Sequence, residues 1–181
     1  MDGLVIKNTG SWYVVRTDDG REVNCKIKGN FRLKGIRTTN PVAVGDRVTI
    51  TDGGDGASFI TAIAPRSNYI IRRASNLSKE ASIIAANIDM AYLVVTLSHP
   101  TTSTTFIDRF LATAEAYRVP ATIVINKVDL LTSPEDRELL DAVTYLYSSI
   151  GYKVMHVSAL NGTGIDSLRE SISGRVSLFS G

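Results

Sequence analysis

The sequence predicts a small all-β barrel of the OB type followed by an α/β unit built on a mostly parallel sheet. Three observations carry that expectation. Residues 1–68 consist of short β-branched and aromatic segments parted by glycine-containing turns, with no convincing helix. Residues 83–181 alternate continuous apolar runs with segments of helical period. The charge also changes sign: residues 1–73 carry 12 Lys and Arg against 7 Asp and Glu, and residues 74–181 carry 8 against 11.

In the front part the strands are expected at Leu4–Ile6, Trp12–Arg16, Glu22–Ile27, Arg47–Thr51 and Ser58–Ile63. Asp18-Asp19-Gly20 supplies a hairpin turn, because Gly accepts a positive φ without steric cost. Five strands in this length fit an OB-type barrel or a similar small barrel. Trp12 and Tyr13 sit within an apolar strand and are expected in its core. Lys26, Lys28, Arg32, Lys34 and Arg37 cluster around Phe31, Gly29 and Gly35, a composition suited to phosphate pairing and base stacking. The competing reading is a solvated loop whose Phe31 tucks into the core.

Residues 69–82 are polar and basic and are expected to form a linker. Beyond them Met90–Leu97 is apolar throughout, as suits a strand covered on both faces. Phe106, Ile107, Phe110, Leu111, Ala114 and Tyr117 recur at helical spacing, and Ala121–Ile125 is a second buried strand. Ser133-Pro134-Glu135-Asp136 has a capping Ser, Pro at the first helical position and acids in the first turn. The helix it opens presents Leu139, Leu140, Val143, Leu146, Tyr147 and Ile150 as its apolar face. Lys153–Val157, Gly164–Ile172 and Arg175–Phe179 read as strand, helix and strand.

A composition of 44% hydrophobic and 21% charged residues excludes a disordered chain. No apolar run approaches the roughly 20 residues that span a bilayer, and Met1-Asp2-Gly3-Leu4 has no signal-peptide character. Cys25 stands alone, so no internal disulfide and no Cys-based zinc site can form within these residues. The expected compartment is the cytoplasm. His99 and His156 have no clustered partner and are expected to be structural or exposed; no metal site is read here.

In an open parallel sheet, ligands bind beyond the carboxyl ends of the strands. Asn126-Lys127-Val128-Asp129 follows the strand Ala121–Ile125, and Ser158-Ala159-Leu160 follows the next strand, one crossover later. These residue types suit guanine. Its ring N1–H and exocyclic amine lie side by side, and one carboxylate, that of Asp129, accepts both. Adenine offers a lone pair at the same place, so a shielded carboxylate rejects it. Lys127 can lay its methylene stem along the base, Asn126 can tie the two loops together, and the Ala159 N–H can donate to the guanine carbonyl. The plain alternative is a turn after a strand, where Asn and Asp are common.

The two motifs, in this order behind a small barrel, resemble the ribosome small-subunit-dependent GTPase family, whose GTPase domain is circularly permuted. Gly45-Asp46-Arg47-Val48, Arg66-Ser67-Asn68, Ile84-Ala85-Ala86-Asn87-Ile88-Asp89, Ile107-Asp108-Arg109-Phe110-Leu111 and Leu178-Phe179-Ser180-Gly181 are each similar to the family's pattern. The resemblance implies residues 1–68 as an RNA-binding barrel, 69–82 as linker and 83–181 as the first part of the permuted GTPase domain. It also implies a monomeric cytoplasmic enzyme that hydrolyses GTP to GDP in late small-subunit maturation, with its barrel on ribosomal RNA. The nucleotide-binding residues it implies are Asn126, Lys127, Val128, Asp129, Ser158, Ala159, Leu160 and Gly181. Gly181 resembles the first glycine of the phosphate loop. The phosphate-loop Lys, the Mg²⁺-binding Ser/Thr, the switches and the family's zinc-binding domain have no counterpart in these residues. The expectation is therefore a fragment, inactive alone, in which no catalytic residue is assigned. The rival expectation is a non-catalytic RNA-binding module on an α/β scaffold.

Overall fold

The computed structural model describes residues 1–27, 41–54, 58–73 and 81–181. They divide into two compact units, Met1–Asn87 and Ile88–Gly181.

In the first unit, β1 (Asp2–Asn8), β2 (Tyr13–Thr17), β3 (Glu22–Ile27), β4 (Arg47–Asp52) and β5 (Ser58–Ile63) close a barrel in the order β1-β2-β3-β5-β4. Side chains alternate across its wall. Val5, Tyr13, Val15, Cys25, Val48, Ile50 and Ile60 point inward and form the core. That alternation corrects the expectation for Trp12. With Tyr13 inside, its neighbour Trp12 is turned out and is 42% exposed, with the Lys26 ammonium 4.3 Å from its ring centre. Lys28, Gly29, Phe31, Arg32, Lys34, Gly35 and Arg37 lie outside the described residues.

The stretch expected as a linker contains regular structure. β6 (Tyr69–Arg73) and β7 (Ala81–Ala86) pair antiparallel, with Ile70 and Ala86 buried. Its polar average conceals the apolar residues that form the pair. A polar network joins this hairpin to the approach to β4. Asn87, at φ 53°, donates from Nδ2 to Gly45 O at 2.9 Å and accepts from Ser67 N at 2.9 Å. Gly45 has φ 90°, and a Cβ there would stand 2.0 Å from Ala86 O, so only glycine fits. Beside it Arg66 grips Asp46 with two bonds, Nε to Oδ1 at 2.7 Å and Nη2 to Oδ2 at 2.6 Å. Asp46 is fully buried and Arg66 nearly so. The Ala43 N–H also donates to Asp46 Oδ2, and Arg66 Nη2 donates to Pro41 O, each at 2.8 Å.

The second unit runs β8 (Met90–Val95), α1 (Thr104–Ala116), β9 (Ala121–Ile125), α2 (Pro134–Ser149), β10 (Lys153–His156), α3 (Ile165–Ile172) and β11 (Ser177–Ser180). Its sheet has the order β10-β9-β8-β11, parallel throughout. The central strand β8 reads as an unbroken apolar run because each side of the sheet is covered. Leu93, Val95, Ile123 and Ile125 pack with Ile107 and Leu111 of α1 and Val143 and Tyr147 of α2. The intervening Tyr92 and Val124 pack with Ile165, Leu168 and Ile172 of α3.

Helix α2 starts as expected, with Ser133 Oγ accepting from Asp136 N at 3.1 Å and Asp136 Oδ2 accepting from Ser133 N at 3.2 Å. Its apolar face is narrower than expected. Val143 and Tyr147 are buried and Leu140 half-buried, but Leu139, Leu146 and Ile150 fall to one side of that stripe and are exposed. Phe106 of α1 is likewise exposed. One apolar stripe suffices against one side of a sheet. Among the described residues no helix is long and apolar enough to cross a membrane.

Candidate functional site

Because the strands are parallel, the loops that follow them leave one edge of the sheet. At the ends of the central strands, backbone bonds carry the sheet's register into the loops. Asn126 N donates to Val95 O and Val157 N to Ile125 O, each at 2.8 Å. The side chain of Asn126 then joins two loops, its Oδ1 accepting from Lys127 N at 2.8 Å and from Ala159 N at 3.2 Å. Lys127 takes φ 62°, rare for a residue with a side chain, and turns the chain into a 3-10 turn over Val128–Leu130. Val128 N donates to Val157 O at 3.2 Å, and its side chain packs on the α1–α2 core.

That turn sets the position of Asp129. Its Oδ1 is shielded from solvent and has no hydrogen-bond partner; among the described residues only Ser177 Oγ shares that condition. A shielded carboxylate oxygen without a donor is costly, so the position calls for one from outside the chain.

The other loop is built around Ser158, which is fully buried. Its N–H donates to Thr163 O at 2.9 Å and its Oγ accepts from Asn161 N at 3.3 Å. Gly164 closes the loop at φ 68°, where a Cβ would lie 2.2 Å from His156 O. Leu160 projects outward, 86% exposed.

Asn126, Lys127, Val128, Asp129, Ser158 and Ala159 are thus brought together, with Leu160 on the same loop. Gly181 follows β11 at the same edge, and a Cβ there would stand 2.4 Å from Val94 O, so the chain passes β8 at close range. The Ala159 N–H, expected as the donor to a guanine carbonyl, donates here to Asn126 Oδ1, at the long end of hydrogen-bond distances. One participant went unread in the sequence: the Lys127 ammonium donates to His99 O at 2.6 Å. The acceptor is a backbone oxygen, which no side-chain pattern signals. Of the two histidine rings, His99 Nδ1 lies 2.8 Å from Ser98 Oγ and His156 Nε2 lies 2.7 Å from Thr144 Oγ1. Among the described residues no three His, Cys, Asp or Glu side chains are grouped to hold a metal ion.

Helix α1 is tied to α2 by a bond from Tyr147 OH to Asp108 Oδ1 at 3.0 Å. Burial, with the Asp108 carboxylate beside it, pushes the Tyr147 phenol up to about 12.

Comparisons with known proteins agree with this architecture. The family described as RsgA GTPase matches residues 63–181, and the RsgA N-terminal domain matches residues 2–60. A Bacteroides fragilis protein named small ribosomal subunit biogenesis GTPase RsgA is 63% identical over 181 residues, all of this chain and 58% of that protein. The chain therefore spans little more than half the length of such relatives. The crystal structure of YjeQ from Thermotoga maritima superposes with a TM-score of 0.79 at 32% identity, over 99% of this chain and 59% of that one. YloQ, described as a circularly permuted GTPase, gives 0.74 at 29% identity over the same shares. The barrel followed by a parallel-sheet unit is thus a shared architecture, and the chain belongs to the RsgA GTPase family.

Proposed function

We propose that the protein containing this chain binds guanine nucleotides at the edge formed by the β9 and β10 loops and hydrolyses GTP during small-ribosomal-subunit maturation. The observation that carries the base assignment is the shielded, unpartnered Oδ1 of Asp129 beside loops already tied by Asn126. Guanine brings two adjacent N–H donors to that carboxylate, and adenine brings none. The long bond from Ala159 N to Asn126 leaves that N–H able to share itself with the guanine carbonyl. Lys127 and Val128 shape the wall, Ser158 and Leu160 carry the second loop, and Gly181 lies at the edge where the resemblance puts the phosphates.

The role in small-subunit maturation rests on the names of relatives that this chain matches over its whole length. In the same reading the barrel contacts ribosomal RNA, with Lys26 and the exposed Trp12 on its surface, and the protein acts as a cytoplasmic monomer. The Mg²⁺ and Zn²⁺ that the resemblance implies for the full-length protein are assigned no ligand among these residues.

The test uses the full-length protein. GDP and ADP compete for a fluorescent guanine nucleotide, and phosphate release from GTP is followed with and without small ribosomal subunits. Preference for GDP by at least a hundredfold is the expected result. Equal displacement by ADP would sink the base assignment, and release indifferent to the subunit would sink the biological one.

A further inference from the structure

The loop between β8 and α1 lies outside both guanine-reading motifs, yet it holds the tip of one of their side chains. It is closed on itself by three bonds. Thr102 N donates to Thr96 O at 2.8 Å, Thr96 N donates to Thr102 Oγ1 at 3.1 Å, and Thr96 Oγ1 donates to Pro100 O at 2.5 Å. Ser103 then caps α1, its side chain accepting from Phe106 N at 3.3 Å, which anchors the far end of the loop. Within this clasp His99 sits at φ 53°, a conformation that a residue with a side chain keeps only where its surroundings hold it. Its carbonyl accepts from the Lys127 ammonium at 2.6 Å.

Lys127 is therefore held at both ends. Its backbone N–H donates to Asn126 Oδ1, and its ammonium reaches the neighbouring loop. β8 and β9 are adjacent and parallel, with Val95 opposite Ile125, so the methylene stem bridges the ends of two strands. A free lysine loses much rotamer freedom when a ligand orders it. A lysine already tethered has lost that freedom beforehand, which favours binding of a rigid, flat base.

We propose that the Thr96–Thr102 loop is a positioning element for the guanine nucleotide, holding the Lys127 stem as a preformed ledge for the base. The inference rests on the guanine reading above. Neither threonine need touch the ligand; each acts through the His99 carbonyl and Lys127.

The experiment measures mant-GDP affinity of the full-length protein by fluorescence titration, with thermal melting of every variant. Thr102→Val removes the hydroxyl acceptor, Thr102→Ser keeps it, and Thr96→Val, made separately, removes the bond to Pro100 O. Lys127→Met is combined with Thr102→Val. Thr102→Val should weaken mant-GDP binding about fivefold, the size of one ordinary hydrogen bond. Thr102→Ser should bind as wild type, and Thr102→Val should cost nothing further once Lys127→Met is present. An equal cost in the presence and absence of Lys127 would show a merely structural role and overturn the proposal. So would unchanged or tighter binding by Thr102→Val. If Thr102→Val does not fold, Thr96→Val in the same cycle decides by the same outcomes. Wild-type protein that binds GDP and ADP alike would refute the guanine reading itself, a result distinct from wild-type preference with indifferent threonine variants.

Discussion

Two aspartates with carboxylate oxygens shielded from water are settled in opposite ways. Asp46, in the first unit, has both oxygens engaged by Arg66 and one also by the Ala43 N–H. Asp129, in the second, has a shielded oxygen with no donor at all. Shielding a carboxylate is costly in both places. At Asp46 the chain supplies every compensating group, so the residue binds segments of the fold together. At Asp129 the chain supplies no donor to the shielded oxygen, and the guanine reading proposed above assigns that part to the ligand. On the proposed reading, what separates a structural acid from a recognising one is where its donors come from.

Four measurements test how each buried or shielded polar group is compensated. Arg66→Met leaves Asp46 buried without its counter-charge and should destabilise the chain by about 3–5 kcal/mol in denaturant melts. Arg66→Met with Asp46→Leu should recover much of that loss. A single-variant cost below about 1 kcal/mol would mean that water reaches Asp46 after all. Asp129→Asn should do the reverse. Folding stability should hold or rise, because a shielded charge is removed, while GDP binding by the full-length protein weakens by roughly 2–3 kcal/mol. A stability loss without an affinity loss would make Asp129 a second Asp46.

Asn126→Ala removes the acceptor shared by Lys127 N and Ala159 N. The expected cost is about 1–2 kcal/mol, seen as faster hydrogen exchange at those two amides. Protection unchanged at both would show that the backbone alone joins the loops.

The smallest effect is at Tyr147. Tyr147→Phe should cost about 1 kcal/mol at neutral pH, for the bond to Asp108. Its phenol is raised from 10.0 to about 12 in the fold. The stability this reflects is fully present below pH 10 and declines as the pH rises toward 12, because the unfolded chain ionises first. The variant should show a shallower alkaline decline. Tyr152, raised by burial and then by Glu115, contributes part of the same limb and should keep some of it in place.

The strands and helices of the second unit were legible because their signals are local. The apolar runs of β8 and β9 and the Ser133–Asp136 capping box each lie within a few consecutive residues. Strand β10 and helix α3 were equally clear, each lying within one residue of its expected start. Features set by a residue's neighbours in space are invisible to a segment average or a single period. The β6–β7 hairpin was hidden by the polar composition of the segment around it. The apolar character of the segment around Trp12 and Tyr13 does not distinguish the two, and alternation allots the interior to Tyr13. On α2 the sequence offers two apolar stripes, and only packing against the sheet shows that one is used.

The order barrel, then parallel sheet, and the placing of Asn126–Asp129 and Ser158–Leu160 after successive strands are written in the sequence alone. Periodicity and strand-end motifs are properties of neighbouring residues, and they survive in one dimension. Only the tertiary structure decided that Asp46 meets Arg66 across 20 positions, that Asn87 closes on Gly45, that an Asp129 oxygen is left unpartnered, and that Lys127 leans on His99 O. Those facts depend on contacts between distant segments, several of them through backbone atoms. A backbone oxygen is the same at every residue and leaves no mark in the sequence.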